Sequence, residues 1–120
     1  MVGHGLDSNL RAELEELTAG VCRALNDPKR LMLLYALADR ALSVGELCEV
    51  LDVSQSNVSQ HLAVLRDRGL VETTRDANRI IYTLRDRRVL DAIDLLRDVM
   101  NAELVRRQAL RPRRGRIARR

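Results

Sequence analysis

The spacing of apolar residues divides the chain into a run of helices interrupted once by an extended segment. Leu10, Leu14, Leu17 and Val21 recur at helical spacing and predict a first helix from about Ser8 to Leu25. Asn26-Asp27-Pro28 stops and restarts the chain. Asp27 suits an N-cap and Pro28 a first helical position, so a second helix opens there and runs to about Ala38. Ser43-Val44-Gly45-Glu46 fits a capping box and starts a short third helix ending at Leu51. After Asp52-Val53, Ser54 is placed to cap a fourth helix, which Gly69 ends. The period then changes. Leu70 to Thr74 and Ile80 to Leu84 are β-prone, and they flank Arg75-Asp76-Ala77-Asn78-Arg79, which predicts a hairpin with a basic tip. Val89, Leu90, Ile93, Leu96, Val99, Met100 and Leu104 return to helical spacing and predict a last helix of about twenty residues. The fold class is mainly α with a β-hairpin wing. Two short helices joined so briefly predict a helix-turn-helix.

The fourth helix divides into unlike faces. At 100° per residue Val58, Leu62 and Leu65 form one apolar stripe, while Ser56, Gln60, Ala63 and Asp67 fall opposite. A merely solvated face usually carries Lys and Glu, which favour helix and hydrate well. Ser, Asn and Gln are poorer choices unless their donors and acceptors are used. The polar start of this helix therefore suits the reading of base edges.

Charge sharpens that picture. The formal charge of +4 conceals an asymmetry: residues 1 to 105 carry 13 Lys and Arg against 17 Asp and Glu, whereas residues 106 to 120 carry eight Arg and no acid. The chain thus divides into a domain over residues 1–105, with the helix-turn-helix and hairpin, and a mobile basic tail over 106–120 that suits phosphate, or alternatively only aids solubility. With 46% hydrophobic content the chain has enough for a small core that dimerisation would help to stabilise. A run of about 18 apolar residues is missing, as is a leader with a cleavage site, so a cytoplasmic protein without a membrane partner is expected. Two cysteines, Cys22 and Cys48, do not make a disulfide framework. No Gly-rich phosphate loop, G-x-S-x-G or H-E-x-x-H appears, so no enzymatic activity is expected.

The segments ALNDPKRLMLLYAL, LSVGELCEVLDVSQSNVSQHLAVLRDRGLV and RIIYTL together resemble the ArsR/SmtB family of bacterial winged-helix repressors, over about Val21 to Met100. The resemblance implies a homodimer whose first and last helices pair across a two-fold axis, placing two recognition helices in successive major grooves of an inverted-repeat operator. Leu10, Leu14 and Leu17, with Leu90, Ile93, Leu96 and Met100, would supply that seam. The alternative is an intramolecular core built from the same stripes. Mapped onto the pattern, the DNA-binding candidates are Gln55, Ser56, Asn57, Ser59 and Gln60. His61, which matches a family histidine in S-x-H-L, lies at the edge of the buried face. Arg75, Asn78 and Arg79 of the wing suit phosphate or minor-groove contact.

The inducer is less visible. In the arsenic and cadmium type, thiolates stand at the start of the third helix; the aligned positions here are Ser43, Gly45 and Cys48. The zinc type uses Asp and His on the last helix, and no histidine follows His61. The cysteine pair of sulfide-responsive relatives aligns with Tyr35 and about Asn101. Three candidates are left: a thiol pair or soft-metal site at Cys22 and Cys48, whose positions otherwise read as buried small apolar sites; a square-planar metal site at the N-terminus using His4; and a small-molecule or protein inducer. No resident cofactor is expected, and a metal or metalloid inducer remains a candidate. A rival to the repressor is a winged-helix protein-interaction module that does not read DNA sequence.

Overall fold

The computed structural model describes residues 7 to 110, and these divide after Arg87 into two compact units. The first begins with α1 (Ser8–Ala19), α2 (Val21–Leu25) and α3 (Pro28–Ala36). The single first helix expected from the periodicity is in fact two. Gly20, at φ −105° and ψ −91°, breaks it, and a Cβ there would stand 3.2 Å from the Glu16 carbonyl oxygen. Just before the break, the Thr18 hydroxyl donates to the carbonyls of Leu14 and Glu15, both at 3.0 Å, a back-bond that competes with the helical ladder.

Asp27 caps α3 as its sequence suggests. Its carboxylate accepts from the Lys29 amide at 2.8 Å and the Arg30 amide at 3.4 Å, and Pro28 takes the first turn, where no amide is needed. Next come β1 (Leu42–Ser43), α4 (Val44–Leu51) and α5 (Gln55–Asp67), followed by β2 (Val71–Asp76) and β3 (Arg79–Leu84). The capping box is complete: Ser43 Oγ accepts from the Glu46 amide at 3.2 Å, and Glu46 Oε1 accepts from the Ser43 amide at 2.9 Å. Gly69 follows α5 at φ 75°, a left-handed conformation that glycine adopts without penalty.

The sheet is antiparallel in the order β1-β3-β2. Strand β1 is a finding the periodicity could not supply, because two residues have no period. Leu42 pairs with Tyr82 and Ser43 with Ile81. The hairpin is also tighter than its sequence suggests. Asp76 pairs with Arg79, so only Ala77 and Asn78 form the turn, with Ala77 left-handed at φ 58°. The core of this unit gathers Leu33, Leu34 and Leu37 around α3 with Leu47, Val58, Leu62 and Leu65 of α4 and α5, while Leu42, Leu70 and Val71 are buried from the sheet side.

The second unit is α6 (Arg88–Leu110). Its helical backbone continues five residues past Val105, so Arg106 and Arg107 belong to the helix and not to a free tail. Both are held by Glu103: Arg106 Nη2 donates to Oε2 at 2.7 Å and Arg107 Nε to the same oxygen at 3.0 Å. These bonds hold the Glu103 carboxyl below its ordinary value. The remainder of the expected tail, residues 111–120, lies outside the described residues, as does His4.

Asp27→Ala is expected to cost about 1 kcal/mol, the usual loss on removing an N-cap, measurable by urea denaturation near neutral pH. Burial raises the Asp27 carboxyl, but the Lys29 and Arg30 amides and the charges of His61 and Arg30 outweigh it and hold the group below 3.8. A lowered carboxyl stabilises the fold above its unfolded value, and that contribution is lost as pH falls through the folded one. The stabilities of wild type and Asp27→Ala should therefore converge as the pH drops below about 4.

Candidate nucleic-acid interface

The turn between α4 and α5 sets the direction of the second helix of the helix-turn-helix. Asp52 adopts a left-handed conformation at φ 56°, and the amides of Asp52 and Val53 both donate to the Cys48 carbonyl, at 2.8 and 3.3 Å. Asp tolerates this conformation better than most side chains. Ser54 then leaves in extended backbone and its hydroxyl accepts from the Asn57 amide at 3.3 Å. Three residues thus reverse the chain and start a new helix.

Val58, Leu62 and Leu65 of α5 are buried at 1%, 0% and 0% exposure, which fixes the orientation of everything else on the helix. Gln55, Ser56, Asn57, Ser59 and Gln60 are all exposed. They form one uncharged, hydrogen-bonding surface over the first turn and a half. His61 is half-buried, with Nδ1 3.3 Å from Arg30 Nη1, so it sits at the margin of that surface.

The wing is clamped to α4 by a charged contact. Arg79 Nη2 stands 3.2 Å from Glu46 Oε1, the same oxygen that completes the capping box. The Ser43 amide and hydroxyl, with smaller help from Arg79 and Arg40, hold the Glu46 carboxyl below its ordinary value. Arg79 is therefore drawn to the base of the wing by this contact, while Arg75 and Asn78 stand exposed near the turn. A second ion pair, Arg85 Nε to Glu72 Oε2 at 3.5 Å, joins β2 to the chain leaving β3.

Beside α5 lies a groove lined by Ser59, Ala63, Arg66, Asp67 and Tyr82. Arg66 and Tyr82 are additions to the candidate surface. Arg66 continues the Ser59 and Ala63 stripe at helical spacing and was legible in principle; Tyr82 is brought there only by strand pairing.

The remaining candidates separate. On α1, Leu10, Leu14 and Leu17 are exposed at 37%, 41% and 44%. On α6, Leu90 and Ile93 are buried. Leu95, Leu96, Val99, Met100, Leu104 and Val105 are exposed. The expectation that both cysteines are buried fails for Cys22, which is exposed; Cys48 is half-buried, and both are free thiols. Among the described residues no three His, Cys, Asp or Glu side chains come together to hold a metal ion, and no helix is long and apolar enough to cross a membrane.

Comparison with known proteins gives this geometry a context. Residues 27–73, which span the helix-turn-helix and the first residues of the wing, match the model of the arsR family of bacterial regulatory proteins. The transcriptional activator HlyU of Vibrio cholerae is 43% identical over 95 residues, covering 77% of this chain and 87% of that protein. The crystal structure of the transcriptional repressor BigR from Xylella fastidiosa superposes with a TM-score of 0.63 at 34% identity, over 74% of this chain and 94% of that one. The solution structure of the homodimeric winged helix-turn-helix DNA-binding domain Mb0332 from Mycobacterium bovis does so with a TM-score of 0.69 at 28% identity, over 87% and 94%.

Proposed function

Since the chain belongs to the arsR family of bacterial regulatory proteins and is a DNA-binding transcriptional regulator, we propose that it acts as a repressor: a homodimer that reads an imperfect inverted repeat and leaves it when an inducer binds. The observation that carries this reading is the exposed, uncharged start of α5. Five side chains able to donate or accept hydrogen bonds project from a helix whose opposite face is locked in the core. Gln55, Ser56, Asn57, Ser59 and Gln60 enter the major groove, where each base pair presents a distinct pattern of donors and acceptors. Arg75 and Asn78 at the wing reach the adjacent backbone or minor groove, and Arg79 contributes only when its contact with Glu46 opens.

Dimerisation follows from what the chain leaves uncovered. The exposed apolar rows of α1 and of α6 each call for a cover. A second copy supplies it, as in the homodimeric Mb0332 domain. Each protomer then presents one recognition helix, and the two-fold axis dictates a two-fold operator. The sign of regulation is a separate matter, since HlyU carries the name of an activator and BigR that of a repressor. A dimer seated on a promoter represses by occupying it, and a reporter placed behind the upstream region should fall when the protein is supplied.

Leu96→Glu should turn a dimer at micromolar concentration into a monomer in sedimentation velocity; a wild type that already sediments as a monomer would remove the basis of the two-fold operator. Gln60→Ala should weaken the cognate duplex by about 1–3 kcal/mol and leave random-sequence binding nearly unchanged, the mark of a base-edge contact. Truncation after Leu110 removes six Arg. Affinity for all duplexes should drop and the dependence on salt should flatten, because counterion release scales with the phosphates neutralised. An unaltered salt slope would show that these arginines do not touch the backbone.

A further inference from the structure

Arg30 stands at the third position of α3, inside the first turn, where the positive end of the helix dipole disfavours a cation. Its guanidinium is nevertheless the most connected side-chain group among the described hydrogen bonds of the first unit. Nε donates to the Ala24 carbonyl at 2.6 Å and Nη2 to the Arg23 carbonyl at 3.2 Å, while Nη1 lies 3.3 Å from His61 Nδ1. Asp27 Oδ2 stands 4.0 Å from Nη1, and the Arg30 side chain is only 15% exposed. The two carbonyls close α2, a helix of five residues; the Arg23 carbonyl also accepts from the capping Asn26 amide at 3.2 Å. A guanidinium only donates, so this contact is a hydrogen bond in the tautomer whose Nδ1 accepts and whose ring proton is on Nε2. One planar group therefore holds the end of α2, the start of α3 and the middle of α5 together.

The consequence lies in what each kind of contact can fix. Val58, Leu62 and Leu65 hold α5 against the core, but apolar contact is non-directional and tolerates a small rotation about the helix axis. A hydrogen bond to a ring nitrogen does not, since it weakens steeply with angle. His61 directly follows Gln60 and lies one turn beyond Asn57, so a rotation at His61 turns those exposed side chains with it. At its other end the link reaches α2, which is joined through the break at Gly20 to α1 and its exposed leucines.

We propose that Arg30 is a positioning residue for DNA reading: through His61 it fixes the rotation of α5 and ties that rotation to the end of α2, so that a displacement of α2 changes operator affinity. The inference rests on α5 being the helix that reads DNA, and two measurements keep the two claims apart. The first is 15N NMR of the histidine rings in the free protein, with His61 assigned by the signal lost in His61→Leu. The second is fluorescence anisotropy on a duplex from the upstream region and on a scrambled duplex. Both use the full chain as wild type, Arg30→Met, Arg30→Lys, His61→Leu, His61→Asn and the double Arg30→Met/His61→Leu variant.

In wild type His61 should carry its proton on Nε2 with an accepting Nδ1, and Arg30→Met should lose the accepting signature. Arg30→Met and His61→Leu should each weaken the upstream duplex about fivefold to twentyfold and the scrambled duplex less than about twofold. The double variant should lose no more than the worse single one, because both remove the same link. His61→Asn, whose amide oxygen stands near the position of Nδ1, should recover to within about threefold of wild type. Arg30→Lys keeps the charge but not the fork, and should behave like Arg30→Met; it carries the cycle if Arg30→Met does not fold. Equal losses on both duplexes, multiplying losses in the double variant, or an unchanged His61 signature in the Arg30 variants would overturn the proposal. A wild type indifferent to the two duplexes would instead overturn the DNA reading, and the ring signature would still decide whether the link exists.

Discussion

Everything the exposed face of α5 can do depends on its opposite face being fully buried. Val58, Leu62 and Leu65 leave almost no surface to water, and burial of side chains of that size contributes on the order of 1.5–3 kcal/mol each. That anchoring lets the first turn of the helix carry serine, asparagine and glutamine, residues that would weaken a helix left to stand alone. Helix stability is supplied by the core and by the Ser54 cap, so the exposed positions are free to be chosen for what they recognise.

Around this anchor the polar contacts act as direction-setters rather than as sources of stability. The left-handed Asp52 and its bond to the Cys48 carbonyl aim α5 away from α4. Glu46 does two things with one oxygen, capping α4 and taking Arg79 from the wing. The Arg79 pair is exposed and adds little to stability, but it joins the wing to the start of α4. The short pairing of β1 with β3 serves the same purpose through the backbone, bringing the wing to the start of α4. A DNA reader needs its parts held at fixed separations, and directional bonds set separations better than apolar contacts do.

The charges are divided unevenly along the chain. Residues 1 to 105 are net acidic, and many of their arginines are engaged: Arg79 with Glu46, Arg85 with Glu72, Arg97 with Asp94. Even Arg106 and Arg107 are taken up by Glu103 on α6.

The sequence by itself determined the caps and every element except the break at Gly20 and strand β1. Asp27, Ser43 with Glu46, and Ser54 act within three residues of themselves, and the Val58-Leu62-Leu65 stripe declares its buried side through spacing alone. The identities of the exposed residues on α5 followed from the same periodicity, and so did the winged-helix fold. What depended on distance in space could not be read. Strand β1 exists only because β3 runs beside it, Tyr82 reaches the side of α5 only through that sheet, and the Arg79 contact with Glu46 spans 33 residues. The apolar spacing of α6 gave no means to separate Leu90 and Ile93, which are buried, from Leu96 and Met100, which are not, because a helix with apolar residues around much of its circumference does not say which side the chain itself will cover. Only the tertiary structure decided that Arg30, an unremarkable cation in the first turn of α3, meets a histidine 31 residues away, since a guanidinium's partners are set by where other helices end.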